Sequence, residues 1–498
     1  MRVFDGTISG LLLEVDLGGV PRGHQAAALT DHLRTAIRRR SLPAGTTLPA
    51  SRTLAADLGV SRGVVVRSYE QLTAEGYLRA HQGSGTRVAP VPGLAERRPL
   101  RGEHRPSNPG LPSGATFPRA AWARCAARAL PSLSDTDLGY GDPAGLPRLR
   151  EALAAYLGRV RALLAPPEQI VVVNGFAQAS RLVAEVLRDR RIDRVGVEDP
   201  GSSGLRDQLR IAGLTCVGVP VDEEGIRVDA LEAAGLRAVF VTPAHQFPTG
   251  VVTSAERRHA LLHWARSTGG LIIEDDYDAE FRYDRTPVGA LQGLGTDVVV
   301  YGGSVSKTLA PGLRLGWLVV PEQLVAAFID AKYAADLARG VLDQATLAEF
   351  LASGEMDHHI RRMVTTYRRR RDRLAAAVEA SLHGWEVTGA AAGLHLVLRP
   401  PGGDEETLAT VAQECGLDAR PLGRYAMAPH GQPALVVGYG HQRSDALEAS
   451  VAALRDRSAG PRIPSDRSAR SAIQRSRHQG QAPHPQDAHA LQPDREAD

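Results

Sequence analysis

The chain has 498 residues, 43% of them hydrophobic and 23% charged, with a formal net charge of +3. That length accommodates two or three domains at roughly 100–200 residues each. No apolar run reaches the roughly 20 residues that a bilayer crossing needs, and no basic stretch with an apolar core and cleavage site opens the chain, so neither a membrane anchor nor a secretory leader is expected.

Cys125, Cys216 and Cys415 are scattered without metal-ligand spacing, which reads as buried reduced thiols in a cytoplasmic protein with no metal site. The charge is unevenly placed. Residues 1–88 carry 11 arginines against 7 acidic residues, a local +4, and Arg97, Arg98, Arg101 and Arg105 follow. A basic N-terminal module suits a polyanionic partner, although a solvated basic face has the same composition. Of 59 basic residues only Lys307 and Lys332 are lysines. A lysine kept against that bias is a candidate for chemistry that arginine cannot perform, an amine that loses its proton and condenses with a carbonyl. Lys332 reads as a leftover surface residue; Lys307 stands in a motif.

In chain order, residues 1–24 are an N-terminal extension. Leu29, Leu33 and Ile37 then mark one face of a helix. Ser51 is a candidate N-cap for a helix that Gly59 ends, and Ser61 caps the next, running through Val65, Tyr69 and Leu72 to Gly76. Two short helices joined by a tight turn form a helix-turn-helix. Its second helix opens on Ser61-Arg62, where free amides meet a phosphate and the arginine reaches a phosphate or a guanine edge. Residues 77–88, centred on Gly83-Ser84-Gly85, read as a β-hairpin wing. From Leu48 the run LPASRTLAADLGVSRGVVVRSYEQLTAEGYLRAHQGSGTRV resembles the GntR winged-helix family, and the resemblance covers 25–88. It implies double-stranded DNA as partner, with Arg52, Ser61, Arg62, Gly63 and Val64 on the DNA and Gln82 and Gly83 at the wing tip. Val66 stands where the family commonly has an arginine, with Arg67 beside it, so the bases read are left open.

Residues 89–112 are rich in Pro, Gly and Arg without apolar periodicity and read as a linker, about 24 residues spanning about 25–30 Å as flexible chain. Between 113 and 458, apolar runs at 169–173, 194–197, 238–241, 270–274 and 297–301 alternate with Ala/Leu/Arg-rich helical stretches, the pattern of a parallel α/β sheet. Residues 459–498 are nearly devoid of large aliphatics and are expected to be disordered.

Two of those apolar runs end in chemistry. Leu271-Ile-Ile-Glu-Asp275-Asp276-Tyr277 ends in acids and a phenol, and Tyr301-Gly-Gly-Ser304-Val-Ser306-Lys307 leads on to Arg314 and Gly316. Ligands of open parallel sheets bind beyond the carboxyl ends of the strands. Pyridoxal 5'-phosphate asks for this set: a lysine for the Schiff base, a carboxylate at the ring nitrogen, a phenol at the ring oxygen, and hydroxyls, an arginine and a helix N-terminus for the phosphate. The ordered motifs resemble the fold type I aminotransferases. By that resemblance Lys307 is the Schiff-base lysine, Asp275 pairs with the ring nitrogen (Asp276 being the alternative), and Tyr277 bonds the ring oxygen. Ser304, Ser306 and Arg314 serve the phosphate, together with the amides of Gly175, Phe176 and Ala177. Tyr140, in Leu138-Gly-Tyr-Gly-Asp-Pro-Ala-Gly145, reaches the partner subunit's phosphate, which implies a homodimer.

The join of the two halves resembles the MocR subfamily of GntR regulators over 25–455, most nearly its regulators of vitamin B6 synthesis. The fold class that follows is α/β: a winged helix-turn-helix, then a fold type I aminotransferase domain with a large parallel or mixed sheet and a smaller C-terminal subdomain. Thr242-Pro-Ala-His245-Gln246-Phe247-Pro-Thr-Gly250 departs from the aminotransferase form: Phe247 stands where an Asn touches the ring oxygen. His245 or Gln246 substitutes for it, or His245 is simply packed. Ser202 replaces an aromatic that stacks on the ring. Val436 or Val437 stands where aminotransferases carry an arginine for the substrate carboxylate; Arg420, Arg424 and Arg443 are alternatives that read as surface charges. General transamination is therefore expected to be lost, with a residual half-reaction open. Three readings remain: a regulator sensing pyridoxal phosphate, an amine or an amino acid; a working aminotransferase with a DNA-binding module; and a DNA-binding protein with a dead domain.

Overall fold

The computed structural model describes residues 17, 19–39, 41–81, 85–90, 109–283, 288–429 and 431–458. The expectations for most of 1–24, for 91–108 within the linker, for the wing-tip residues Gln82 and Gly83 and for the tail 459–498 therefore lie outside the described residues. The chain divides into two compact units, Met1–Pro106 and Ser107–Asp498. Among the described residues no helix is long and apolar enough to cross a membrane.

The first unit contains α1 (Gln25–Arg38), β1 (Thr47–Leu48), α2 (Ser51–Leu58), α3 (Arg62–Ala74), β2 (Leu78–His81) and β3 (Gly85–Val88). The strands form an antiparallel sheet in the order β1-β3-β2. Leu29, Leu33 and Ile37 of α1 share one core with Leu54, Val65, Tyr69 and Leu72, as helical spacing dictates. Gly59 ends α2 with φ 63°, a left-handed C-terminus that costs glycine least. Ser51 is the first residue of α2, behind Ala50 at the N-cap, so it is not the cap expected of it. Ser61 does occupy the N-cap of α3, but its hydroxyl makes no capping bond.

The second unit is built on an eight-stranded sheet ordered β4-β11-β10-β9-β8-β5-β6-β7. Its strands are β4 (Ile170–Val173), β5 (Arg194–Asp199), β6 (Thr215–Asp222), β7 (Gly225–Ile226), β8 (Ala238–Val241), β9 (Leu271–Asp276), β10 (Val299–Ser304) and β11 (Gly316–Val319). Strands β6, β5, β8, β9 and β10 run parallel; β11 is antiparallel to both β10 and β4. Every residue of β4 and β8 is buried, the signature of strands covered on both faces.

Helices α4 (Arg119–Ala129), α5 (Pro147–Arg161), α6 (Phe176–Asp189), α7 (Ser203–Ile211), α8 (Val228–Ala233), α9 (Ala255–Thr268), α10 (Val325–Asp336) and α11 (Val341–Ala352) accompany the sheet. One face packs under α6, α7 and α10, with Leu182, Val186, Leu209 and Phe328 against Val173 and Ile273. The opposite face carries Ile272 and Val299 against Leu261 and Trp264 of α9. The 27-residue α12 (Glu355–Ser381) is about 40 Å long at helical rise. Its first turns, at Met356, join the core that holds Trp317, and Met363, Tyr367, Leu374 and Val378 join a second one. That second core belongs to an antiparallel sheet ordered β12-β13-β15-β14, formed by β12 (Glu386–Thr388), β13 (His395–Arg399), β14 (Asp418–Pro421) and β15 (Leu435–Gly438), with α13 (Glu405–Glu414) and α14 (Ser444–Ser458). Pro109 and Leu111, counted with the linker by composition, lie against Gly438 and Gly440.

Candidate functional site

In the first unit Arg52, Ser61, Arg62 and Gly63 are exposed around the start of α3, where unpaired amides and the helix dipole favour an anion. Arg62 Nε leans on Ser51 Oγ at 3.4 Å, so the α2 and α3 N-termini present their polar groups together. Val64 departs from the expected set. It is 3% exposed and belongs to the core with Leu29 and Leu72, because α3 turns Val64, Val65, Ser68, Tyr69 and Leu72 inward.

In the second unit the carboxyl ends of β9 and β10 lie side by side, Gly302 opposite Asp275 and Gly303 opposite Asp276. Side chains alternate along a strand, so the two aspartates face opposite ways. Asp276 is spent: Arg161 donates to it at 2.7 and 3.3 Å and Tyr301 at 2.7 Å. Both oxygens of Asp276 are thus engaged within the protein. Asp275 has no such clamp. Burial, then the charge of Asp276, pushes its carboxyl well above the usual carboxylate range, against the pull of Lys307. A buried N–H cation beside it would return it to the charged form.

Lys307 lies in the turn after β10, closed by Leu309 and Ala310 N–H groups donating to the Val305 carbonyl at 2.8 and 3.1 Å. His359 Nε2 holds the far side of that turn at the Thr308 carbonyl, 2.8 Å away. Burial pushes the Lys307 amine down, opposed by Asp278 and Asp275, and a lowered amine has the neutral form that attacks a carbonyl.

Tyr277 meets His245 Nδ1 at 3.0 Å. The same nitrogen lies 3.0 and 3.1 Å from the two oxygens of Asp278, which requires it to carry the proton. The Tyr277 oxygen is then an acceptor there, and its own hydrogen remains available to a ligand. Burial holds that phenol protonated. Gln246 is consumed within its loop: Nε2 donates to Glu198, Pro200 and Phe247 oxygens at 3.1, 2.9 and 2.7 Å, and Oε1 accepts from Thr249. Its polar atoms are thus taken up within the loop, whereas His245 is the one of the two that contacts Tyr277. Ser202 caps α7, accepting from Leu205 N–H at 3.3 Å.

The anion end forms where β4 turns into α6. Gly175 has φ 78°, a conformation that glycine adopts at least cost, and a Cβ there would come within 2.9 Å of Arg314 Nη2. Arg314 Nη2 donates to the Asn174 carbonyl at 2.6 Å. Phe176 and Ala177 open the 14-residue α6 with their amides. Ser304 Oγ accepts from Ser306 N–H at 3.4 Å. Tyr140 is not part of this assembly: it is 84% exposed.

These residues fit the expected cofactor by donor chemistry. A lowered amine, a carboxyl that a cation would ionise, a phenol with a free hydrogen, and an arginine over a glycine turn at a helix N-terminus match its aldehyde, ring nitrogen, ring oxygen and phosphate in turn. A cleft of about 940 Å³ between residues 115–124 and the start of α12 contains none of them.

Of the two valines at the expected carboxylate-anchor position, Val436 is fully buried and clusters with Tyr425, Leu422 and Phe247, and Val437 is fully buried in the core with Leu394 and Leu396. Phe247 packs edge-on against Tyr277, His395 and Tyr425. Arg424 and Arg443 are exposed, and Arg420 turns to the Ala419 carbonyl at 2.7 Å. Lys332 reverses its reading: it is fully buried and paired with Asp336. The same scarcity that singled out Lys307, with an acid four residues on, was the available signal.

Residues 112–435 match the model of the aminotransferase class I and II family, and residues 25–88 match the bacterial regulatory proteins of the gntR family. The chain is 35% identical over 439 residues to the probable rhizopine catabolism regulatory protein MocR of Rhizobium meliloti, covering 82% of this chain and 89% of that protein. It is 33% identical to the HTH-type pyridoxine biosynthesis transcriptional regulator PdxR of Corynebacterium glutamicum, covering 86% of this chain and 94% of that one. Among solved structures, an archaeal alanine:glyoxylate aminotransferase superposes with a TM-score of 0.64 at 27% identity, over 70% of this chain and 88% of that one. The kynurenine aminotransferase of Pyrococcus horikoshii gives 0.63 at 25%, with the same coverage. With two curated regulators matched over most of their length, the chain belongs to the MocR-type regulators of the GntR family, a GntR head joined to an aminotransferase class I and II domain.

Proposed function

We propose that this protein is a transcription regulator that binds double-stranded operator DNA through residues 25–88 and senses pyridoxal phosphate held on Lys307 in residues 113–458. The observation that carries the reading is the adjacency of the β9 and β10 carboxyl ends, which sets Asp275 and the Lys307 turn side by side in the sheet, with the Lys307 amine pushed down by desolvation. When bound, pyridoxal phosphate supplies an aldehyde that condenses with an amine and a ring that withdraws electrons. Lys307 offers that amine, Asp275 faces the ring nitrogen and Tyr277 donates to the ring oxygen. Arg314, Ser304, Ser306 and the amides of Gly175, Phe176 and Ala177 receive the phosphate. Tyr140 serves the site of a second copy, so the working unit is a homodimer. Occupancy biases that dimer between two arrangements, and operator affinity follows.

Two curated relatives are named for different pathways, and the substrate side favours the second. Val436 packed under Phe247 and Tyr425 leaves an amino-acid carboxylate without the arginine fork it needs, so the cofactor itself is the effector and vitamin B6 synthesis the regulated process. Adding pyridoxal phosphate to the full chain should produce a visible absorbance band and change operator affinity, and Lys307→Ala should show neither. A working aminotransferase is the second reading, favoured by the likeness to aminotransferases at 25–27% identity. Turnover of an amino donor with a keto acid at ordinary enzyme rates would decide for it.

A further inference from the structure

We infer that Lys332 is a positioning residue for the anion end of this site: it neutralises Asp336, which orients Asn174 and Gln178 at the turn opening α6. The inference rests on the reading that this turn receives the phosphate of pyridoxal phosphate.

Asn174 immediately precedes Gly175, and four of its polar groups are held. Its Nδ2 donates to Asp336 Oδ2 at 2.8 Å, and its backbone N–H donates to Gln178 Oε1 at 2.8 Å. Its Oδ1 accepts from Arg339, and its backbone carbonyl accepts from Arg314 at 2.6 Å. Gln178 Nε2 in turn donates to Asp336 Oδ2 at 2.7 Å. The turn is thus hung on one carboxylate at the end of α10, a helix whose Phe328 and Ala331 share a core with Leu182 and Val186 of α6.

A carboxylate is a good acceptor for two amides, but left unbalanced it would repel an incoming phosphate dianion. Lys332, fully buried, reaches the other oxygen of Asp336 one helical turn along. Asp336 therefore orients its two donors with a directly paired buried countercharge, to which the nearby guanidinium of Arg339 adds.

The test compares pyridoxal phosphate with pyridoxal, which lacks the phosphate, by titrating the visible band of the full chain. Wild type should prefer the phosphate form. Lys332→Met should cut that preference about tenfold while pyridoxal affinity stays within about threefold, since the lost term acts on the dianion. The double variant Lys332→Met/Asp336→Asn, which removes both charges, should recover part of the preference. Equal losses for both compounds, or an unchanged preference, would overturn the inference. If Lys332→Met does not fold, Gln178→Ala at a half-buried position should lower the preference about threefold by releasing the Asn174 N–H, and an unchanged ratio there is equally fatal. A wild type that gains no band with either compound overturns the cofactor reading, and this inference with it. A wild type that discriminates while Lys332→Met discriminates equally well overturns the positioning role alone.

Discussion

Arg161 and Asp276 form an ion pair 2.7 Å apart, with side chains 2% and 3% exposed, on the strand face opposite Asp275. Truncating one member of a buried pair strands the other charge, at a cost of about 3–5 kcal/mol. Asp276→Ala should lower unfolding stability by that order. Asp275→Asn should leave the denaturation midpoint close to wild type and weaken or displace the pyridoxal phosphate band. Denaturant titration and absorbance measured on both variants separate the roles; a stable Asp276→Ala with an altered band would reverse the assignment.

The two lysines make a covalent test unusually clean. Borohydride reduction in the presence of pyridoxal phosphate should place a pyridoxyl group on Lys307 and none on Lys332, whose side chain is fully buried and paired. Peptide mass mapping reads this directly. Label on Lys332 in the native chain would contradict the burial on which its role depends.

Operator affinity should fall steeply with salt, since neutralised phosphates release counterions. Arg62→Ala should weaken binding and reduce the salt slope by about 1. Equal affinity and slope in that variant, by fluorescence anisotropy across a salt series, would remove Arg62 from the interface. Val64→Ala belongs to a different class: its effect should appear in the thermal stability of the head, because Val64 lies in the core.

Glu198 gives the second unit a pH signature. Burial pushes its carboxyl from the usual 4.5 up to about 7, against hydrogen bonds from Thr242 and Gln246. A folded-state value above the unfolded one means the folded protein holds the proton longer. That stabilisation is complete below about pH 4.5 and is lost as pH rises through about 7. Glu198→Gln has no proton to release, so its stability curve should be flatter over that window, by up to about 3 kcal/mol. Parallel pH profiles that differ only by a constant offset would contradict the burial argument.

The sequence by itself determined the elements and the chemistry within reach of local rules. Apolar, β-branched runs such as Ile170-Val-Val-Val173, alternating with helical stretches, read as covered strands, and Gly59 needs nothing distant to end α2. Lys307 was legible because composition made it rare and its motif placed it at a strand end. What required the tertiary structure were choices among equivalent neighbours. Asp275 and Asp276 are the same residue type one position apart, and only Arg161, 115 positions away from Asp276, decides which is spent. Gln246 and His245 were both candidates until Glu198 claimed the first, while Asp278 holds the second against Tyr277. Val64 and Gly63 adjoin on one recognition helix, and packing turned the first inward. Lys332 looked like a surface residue because nothing local says that α10 packs on α6. Side-chain chemistry is carried by the residue, but its availability is set by partners that folding brings from far along the chain.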